Sequence, residues 1–202
     1  MSQIQLNLDG YTELPDGKVA FVATHLEMLE KPALKMIDRP DLKLQRVERT
    51  ETSEYKDLFK RIGGPWLWFG RLVMSDEELE ATLSKPTNEL YWALKDSEPV
   101  GILELDVSKP DEVTLAYFGL VSEAIGSGAG RWLMNHAITK AFSRPEVKRF
   151  WLHTCTGDSP QALQFYIRSG FQPFKRSIEV ADDPRLSGVL DPSCAPHVPF
   201  LP

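Results

Sequence analysis

The sequence predicts an α/β (α+β) fold: a mixed, mostly antiparallel central sheet flanked by helices, with an N-terminal β extension and a proline-rich C-terminal tail. Three observations carry that expectation. Strand-like and helix-like segments interleave along the chain instead of segregating. Three strand candidates in the middle follow one another through links too short for a crossover, which makes them antiparallel neighbours. A glycine-rich loop then opens a run of helix, strand, helix and strand. At 202 residues, 42% of them hydrophobic and 26% charged, the chain suits a single core, and its composition excludes a disordered chain or a coiled coil.

The elements follow in order. Ile4, Leu6 and Leu8 alternate before the turn at Asp9-Gly10, which predicts a first strand. Val19 to Leu29 is a β-branched and aromatic run bounded by Asp16-Gly17 and Pro32, and predicts a second. A third alternates from Leu42 to Val47. Tyr55, Leu58, Phe59 and Ile62 make one apolar helical stripe, stopped by Gly63-Gly64-Pro65. Trp66-Leu67-Trp68-Phe69 is an aromatic connector, read as core or loop anchors in preference to a substrate wall. Ser75 and Glu78 form a capping box for a short helix through Leu83.

The central strands are predicted at Glu89 to Leu94, Val100 to Val107 and Val113 to Leu120. Glycines 126 to 130 lead into a helix ending near Arg144-Pro145. Lys148 to Cys155 is the next strand. Asp158-Ser159-Pro160 reads as an N-cap with an early proline, Gly170 as the helix stop, and Phe171 to Val180 as the last strand. The domain plan is a single domain over residues 1–182 (extension 1–41, core 42–182) and a tail over 183–202. Prolines 184, 192, 196, 199 and 202 bar that tail from being a helix interior. There is no internal repeat.

Composition also limits function. Lysine and arginine total 23 against 29 acidic residues, a net charge of −6, so no general footprint for nucleic acid or an anionic membrane is expected. No apolar run approaches the roughly 20 residues that cross a bilayer. Residues 1–5 carry neither a basic nor an apolar leader region, and Cys155 and Cys194 read as reduced thiols, so a cytoplasmic protein is expected. No metal site is expected from two cysteines without zinc spacing.

The chemistry concentrates between Leu120 and Phe171. Glycines let backbone N–H groups approach a phosphate closely, and a helix N-terminus adds roughly half a positive charge. Ile125-Gly126-Ser127-Gly128-Ala129-Gly130 lacks the lysine of a P-loop, the spacing of a dinucleotide fingerprint and the flanking glycines of a nucleophile elbow. It resembles the coenzyme A loop of the GNAT superfamily of N-acetyltransferases, [RQ]-x-x-G-x-[GA], with Ile125 in place of the usual arginine or glutamine. Arg131, just inside the helix, restores some charge. A second motif, N-x-x-A-x-x-x-Y-x-x-x-G-F, is matched from Ser159 to Phe171 with Ser159 for asparagine. The resemblance covers about residues 42 to 180.

The resemblance implies a GNAT-like sheet, acetyl-coenzyme A as co-substrate, and N-acetylation of a small-molecule or peptide amine. It implies coenzyme A contacts at Leu120, Val121, Ile125, Gly126, Ser127, Gly128, Ala129, Gly130, Arg131, Ser159 and Tyr166. It also implies Tyr166 as general acid and a central-strand carboxylate, first Glu104, as general base. His153, Asp106 and Tyr117 are the other base candidates. On residues alone, Glu104 and Asp106 read as a solvated strand face and His153 as a structural histidine. Two further classes stay open, a non-catalytic acyl-coenzyme A binding or sensing module and a nucleotide-binding protein. Cysteine hydrolase chemistry at Cys155 is a distant third. A homodimer is compatible with the sequence.

Overall fold

The computed structural model describes residues 5–35 and 37–201. The elements are β1 (Lys18–Met28), β2 (Leu42–Val47), α1 (Thr52–Gly63), α2 (Asp76–Leu83), β3 (Asn88–Lys95), β4 (Glu98–Lys109), β5 (Glu112–Leu120), α3 (Ala129–Ala141), β6 (Arg149–Cys155), α4 (Ala162–Arg168) and β7 (Gln172–Asp182). The strands form one 7-stranded sheet in the order β2-β3-β4-β5-β6-β1-β7. All neighbours are antiparallel except β5 and β6. This is the mixed, mostly antiparallel class that the interleaved elements and short links predict.

Local chemistry explains most elements. In α1 the stripe Tyr55, Leu58, Phe59 and Ile62 is buried against the sheet. Ser75 and Glu78 make both halves of the capping box of α2. The β3–β4 turn holds Asp96 and Ser97 at positive φ, which matches the twist of the paired strands. At the end of α4, Gly170 takes φ +106 while the amide of Phe171 donates back to the Tyr166 carbonyl.

Three readings are corrected. Ile4 lies outside the described residues, as do the start of the leader reading and Pro202; Leu6 and Leu8 form no strand, and Leu8 is 89% exposed. The strand assigned to an N-terminal extension is interior to the sheet, with β6 on one side and β7 on the other. β6 and β7 run parallel, joined through α4, and leave a slot one strand wide that β1 fills antiparallel to both. Finally, Asp158 does not cap α4. The helix begins at Ala162 behind Gln161, which makes no side-chain cap.

The two sheet faces carry separate cores. α3 and α4 cover one, where Leu26, Leu103, Leu105, Leu133, Phe150 and Leu152 are buried together. α1 and α2 cover the other around Phe59, Leu79, Leu90 and Ile102. The C-terminal tail packs over the end of that second face. Leu190 and Ala195 join Val19, Phe21 and Leu67 in a third cluster. Arg185, 3% exposed, pairs with Asp183 and donates to the carbonyls of Val198 at 2.8 Å and Pro199 at 3.2 Å, so one guanidinium organises the proline-rich segment. Of the hydrophobic residues at its tip, Leu201 is 75% exposed.

Candidate active site

The parallel ladder between β5 and β6 is short. It pairs Glu112, Val113 and Thr114 with Arg149, Phe150 and Trp151, and no further. On its other edge β5 shifts register between Leu115 and Tyr117, placing an extra residue, Ala116, in a bulge. A bulge bends its strand and sharpens its twist, and at this point β5 leaves β6. Along the parted strands the amides on the gap side of β5 have no strand partner. A cavity of about 710 Å³ fills the gap and is lined by residues from both faces of the sheet.

The glycine loop forms the end on the α3 face. Gly126 and Gly128 hold φ +80 and +86, and no atom lies within 4 Å of a Cβ built on Gly126. Gly128 is the N-cap of α3 and supplies no side-chain cap, so the first-turn amides point into the loop region unsatisfied by a side chain. Leu120, Ile125, Gly126, Gly128, Gly130 and Arg131 line the cavity, with Arg168 nearby. The other predicted loop residues do not line it. Ser127 Oγ donates to the Ala124 carbonyl, and Ala129 is buried in the core. Val121 is buried under α1 and away from the cavity.

Arg39, in the β1–β2 link, was not foreseen. Its guanidinium donates to Ser127 O at 2.7 Å and is held by Asp41 at 2.7 and 2.6 Å. It fixes the loop from behind, with its charge balanced by Asp41. No local signal marks it, because it lies 88 residues before its partner.

Tyr166 stands in the middle, packed against Phe118, Phe165 and Phe171. Burial, reinforced by the Asp158 carboxylate, raises its hydroxyl well above the ordinary phenol range and keeps it protonated. Ser159 lines the wall beside it, with its hydroxyl on Gln161.

On the α1 face the cavity is aromatic: Phe21, Trp66, Trp68, Phe69 and Tyr117. Trp68 is both wall and anchor. A Cβ on Gly63 would meet it at 2.4 Å and one on Gly119 at 3.0 Å, so these glycines permit its seat. Its indole N–H donates to Asp158 Oδ1 at 2.9 Å across the cleft. The other oxygen of Asp158 accepts from Thr154 Oγ1 at 2.7 Å and the Cys155 amide at 2.9 Å. Asp158 thus ties the β6–α4 link to the aromatic connector. Tyr117 packs edge-on against Phe59, and burial pushes its hydroxyl up to about 12.

The base candidates separate. His153 is exposed and lines the cavity, facing away from its buried neighbour Leu152. Glu104 is neither solvated nor in the cavity. It is 0% exposed, accepts from Tyr55 OH at 2.7 Å and pairs with Arg71. A carboxylate so bound and sealed has no access to a substrate proton. Asp106 lies outside the cavity too and accepts from the Ser108 amide. Cys155 lines the wall, but burial and Asp158 push its thiol up to about 11, which removes the thiolate that hydrolase chemistry needs.

Fold and cleft together are those of an acyltransferase. The model of the acetyltransferase (GNAT) family matches residues 51–171, and the chain belongs to that family. Three solved structures share the fold. A GCN5-related N-acetyltransferase from Sphaerobacter thermophilus is 11% identical with TM-score 0.58, over 81% of this chain and 51% of its own. One from Kribbella flavida is 18% identical with TM-score 0.52, over 85% and 63%. An acetyltransferase from Thermus thermophilus is 19% identical with TM-score 0.54, over 69% and 96%. The chain therefore spans about half the length of the first and under two thirds of the second. No curated protein sequence matches it. Among the described residues no cluster is placed to hold a metal ion, and no helix is long and apolar enough to cross a membrane.

Proposed function

We propose that the protein is an N-acetyltransferase that moves an acetyl group from acetyl-coenzyme A to a primary amine by direct attack on the thioester. The observation that carries this reading is the cavity through the sheet, with a glycine-rich helix entry at one end, Tyr166 between, and His153 at the other side. The loop amides and Arg131 suit a pyrophosphate. The gap then leads a pantetheine arm along β5 towards Tyr166.

The chemistry has a balanced course. An ammonium must lose a proton before it attacks, and His153, on the cavity wall, accepts it through bridging water. The amine nitrogen bonds to the thioester carbon, and the oxyanion is met by a gap-side amide of β5. As the carbon–sulfur bond breaks, Tyr166 gives its proton to the thiolate, and the proton still held by the attacking nitrogen passes to the phenolate, which restores Tyr166.

Two measurements test this. Calorimetry should show coenzyme A binding and little affinity for ATP or NAD, and Gly128→Val should weaken it, since a branched residue is strained at φ +86. With acetyl-coenzyme A and a panel of amines, thiol release should be amine-dependent. Unchanged coenzyme A affinity in folded Gly128→Val overturns the loop assignment. Coenzyme A binding with no thiol release leaves an acyl-coenzyme A binding module in its place.

A further inference from the structure

The two ends of the cavity differ in charge. Its cationic side chains, Arg131 and Arg168, stand with the glycine loop and the end of α4. The lining carboxylates are Asp158, in the β6–α4 link across the cleft from Trp68, and Glu179, on the face that carries Phe21. Asp158 already serves three donors. Glu179 makes no hydrogen bond or ion pair among the described residues. It sits on the edge strand β7 directly opposite Phe21 of β1, and alternation puts both side chains on one face of the sheet. It is near enough to raise the hydroxyl of Tyr117 and the thiol of Cys155 by its charge.

Around that carboxylate the walls are flat and apolar. Trp68, Tyr117 and Phe21 offer ring surfaces. The chamber is also closed along one side. Leu67, which lines it, packs against Leu190 and Ala195 of the tail, and His197 lies against Trp66 with Nε2 2.9 Å from the Gly157 carbonyl. An extended chain crossing there would displace the tail.

We infer that the acceptor is a monoamine on a compact, aromatic or similarly apolar body, held with its ammonium against Glu179 and its body between the rings of Trp68, Tyr117 and Phe21. This deepens the acetyltransferase reading and rests on it. Glu179 is the one lining carboxylate without a donor and balances one cation, while a second ammonium would have to displace one of the three donors already on Asp158. The rings add cation–π attraction for the ammonium and stacking surface for the body. Polyamines, aminoglycosides and basic peptides are disfavoured on the same ground.

The test measures thiol release from acetyl-coenzyme A by the full chain, with 2-phenylethylamine, spermidine, kanamycin and a short lysine-rich peptide as acceptors. The expected result is a kcat/KM for 2-phenylethylamine at least about tenfold above the others. Glu179→Gln, on an exposed edge position, should raise its KM about tenfold with coenzyme A affinity by calorimetry unchanged. Preference for spermidine, kanamycin or the peptide overturns this acceptor class and leaves the acetyltransferase reading standing. So does an unchanged KM in Glu179→Gln. Absence of thiol release with every amine, coenzyme A being bound, overturns the transferase reading and the acceptor class with it.

Discussion

Between β4 and β5 the ladder continues past two shifts of register, and Glu104 lies sealed beneath α1 against Arg71 and Tyr55. Between β5 and β6 the ladder stops after Thr114, and His153, Asp158 and Tyr166 stand around open space. Both regions hold a buried or half-buried carboxylate with several donors. In the first, the contacts tie α1 and the α1–α2 connector to the sheet, and burial holds the Tyr55 hydroxyl well above its usual range. In the second, the contacts of Asp158 cross a gap and leave neighbouring groups exposed to a substrate. A carboxylate on a central strand is therefore not by itself a catalytic signal; whether the next strand stays paired decides what it can reach.

The comparison can be broken most sharply at Tyr166. Tyr166→Phe keeps the ring packing and removes the proton, so turnover should fall by ~10²–10⁴ while coenzyme A affinity and melting temperature stay nearly constant. Wild-type turnover, with chemistry rate-limiting, would make Tyr166 a core aromatic only. Because burial raises the hydroxyl, its loss of the proton should not cut activity below pH about 10.

His153→Asn should come next, lowering kcat/KM by about 10² and flattening the acidic limb of its pH profile. The sign follows from the role: a base works deprotonated, so the wild-type rate rises with pH through the base's titration. An acidic limb that survives in His153→Asn would give the role to another group.

Glu104→Gln sharpens the other side. It leaves the Arg71 charge without its partner under α1, and should cost about 3 kcal/mol of stability, or a fall of roughly 6–12 °C in melting temperature. The folded fraction should keep its kcat and its pH profile. Loss of the acidic limb in this variant would return the base to the closed region. The smallest effect is expected at Arg39→Ala, which removes a tie on the glycine loop and should weaken coenzyme A binding about fivefold with little change in stability. Calorimetry reads that directly.

Legibility followed the same division. The stripe of α1, the capping box of α2 and the two glycines of the loop are properties of neighbours along the chain, and they read correctly. Which base candidate meets the cleft was left open by the strand pattern; His153 and Tyr117 line the cavity, and Glu104 and Asp106 do not. The Asp158 reading failed because the carboxylate found three donors from β6 and the aromatic connector in place of a helix start. Glu104 failed because alternation identifies which residues share a face, and not whether water or Arg71 meets them there.

What the sequence determined by itself was local: periodicity, the capping box of α2, the glycine-rich entry of α3, and the order of strand, loop and helix that carries the family motifs. These depend on contacts within a few residues, where residue type sets the energy. Tertiary structure alone decided that β1 enters between β6 and β7, that Arg39 reaches Ser127, that the tail closes on Leu67, and that Glu179 faces the aromatic chamber. Strand edges and guanidinium groups are generic donors and acceptors. Their partners are chosen by the whole sheet's need to pair its backbone and bury its faces, and that choice is written in no single segment.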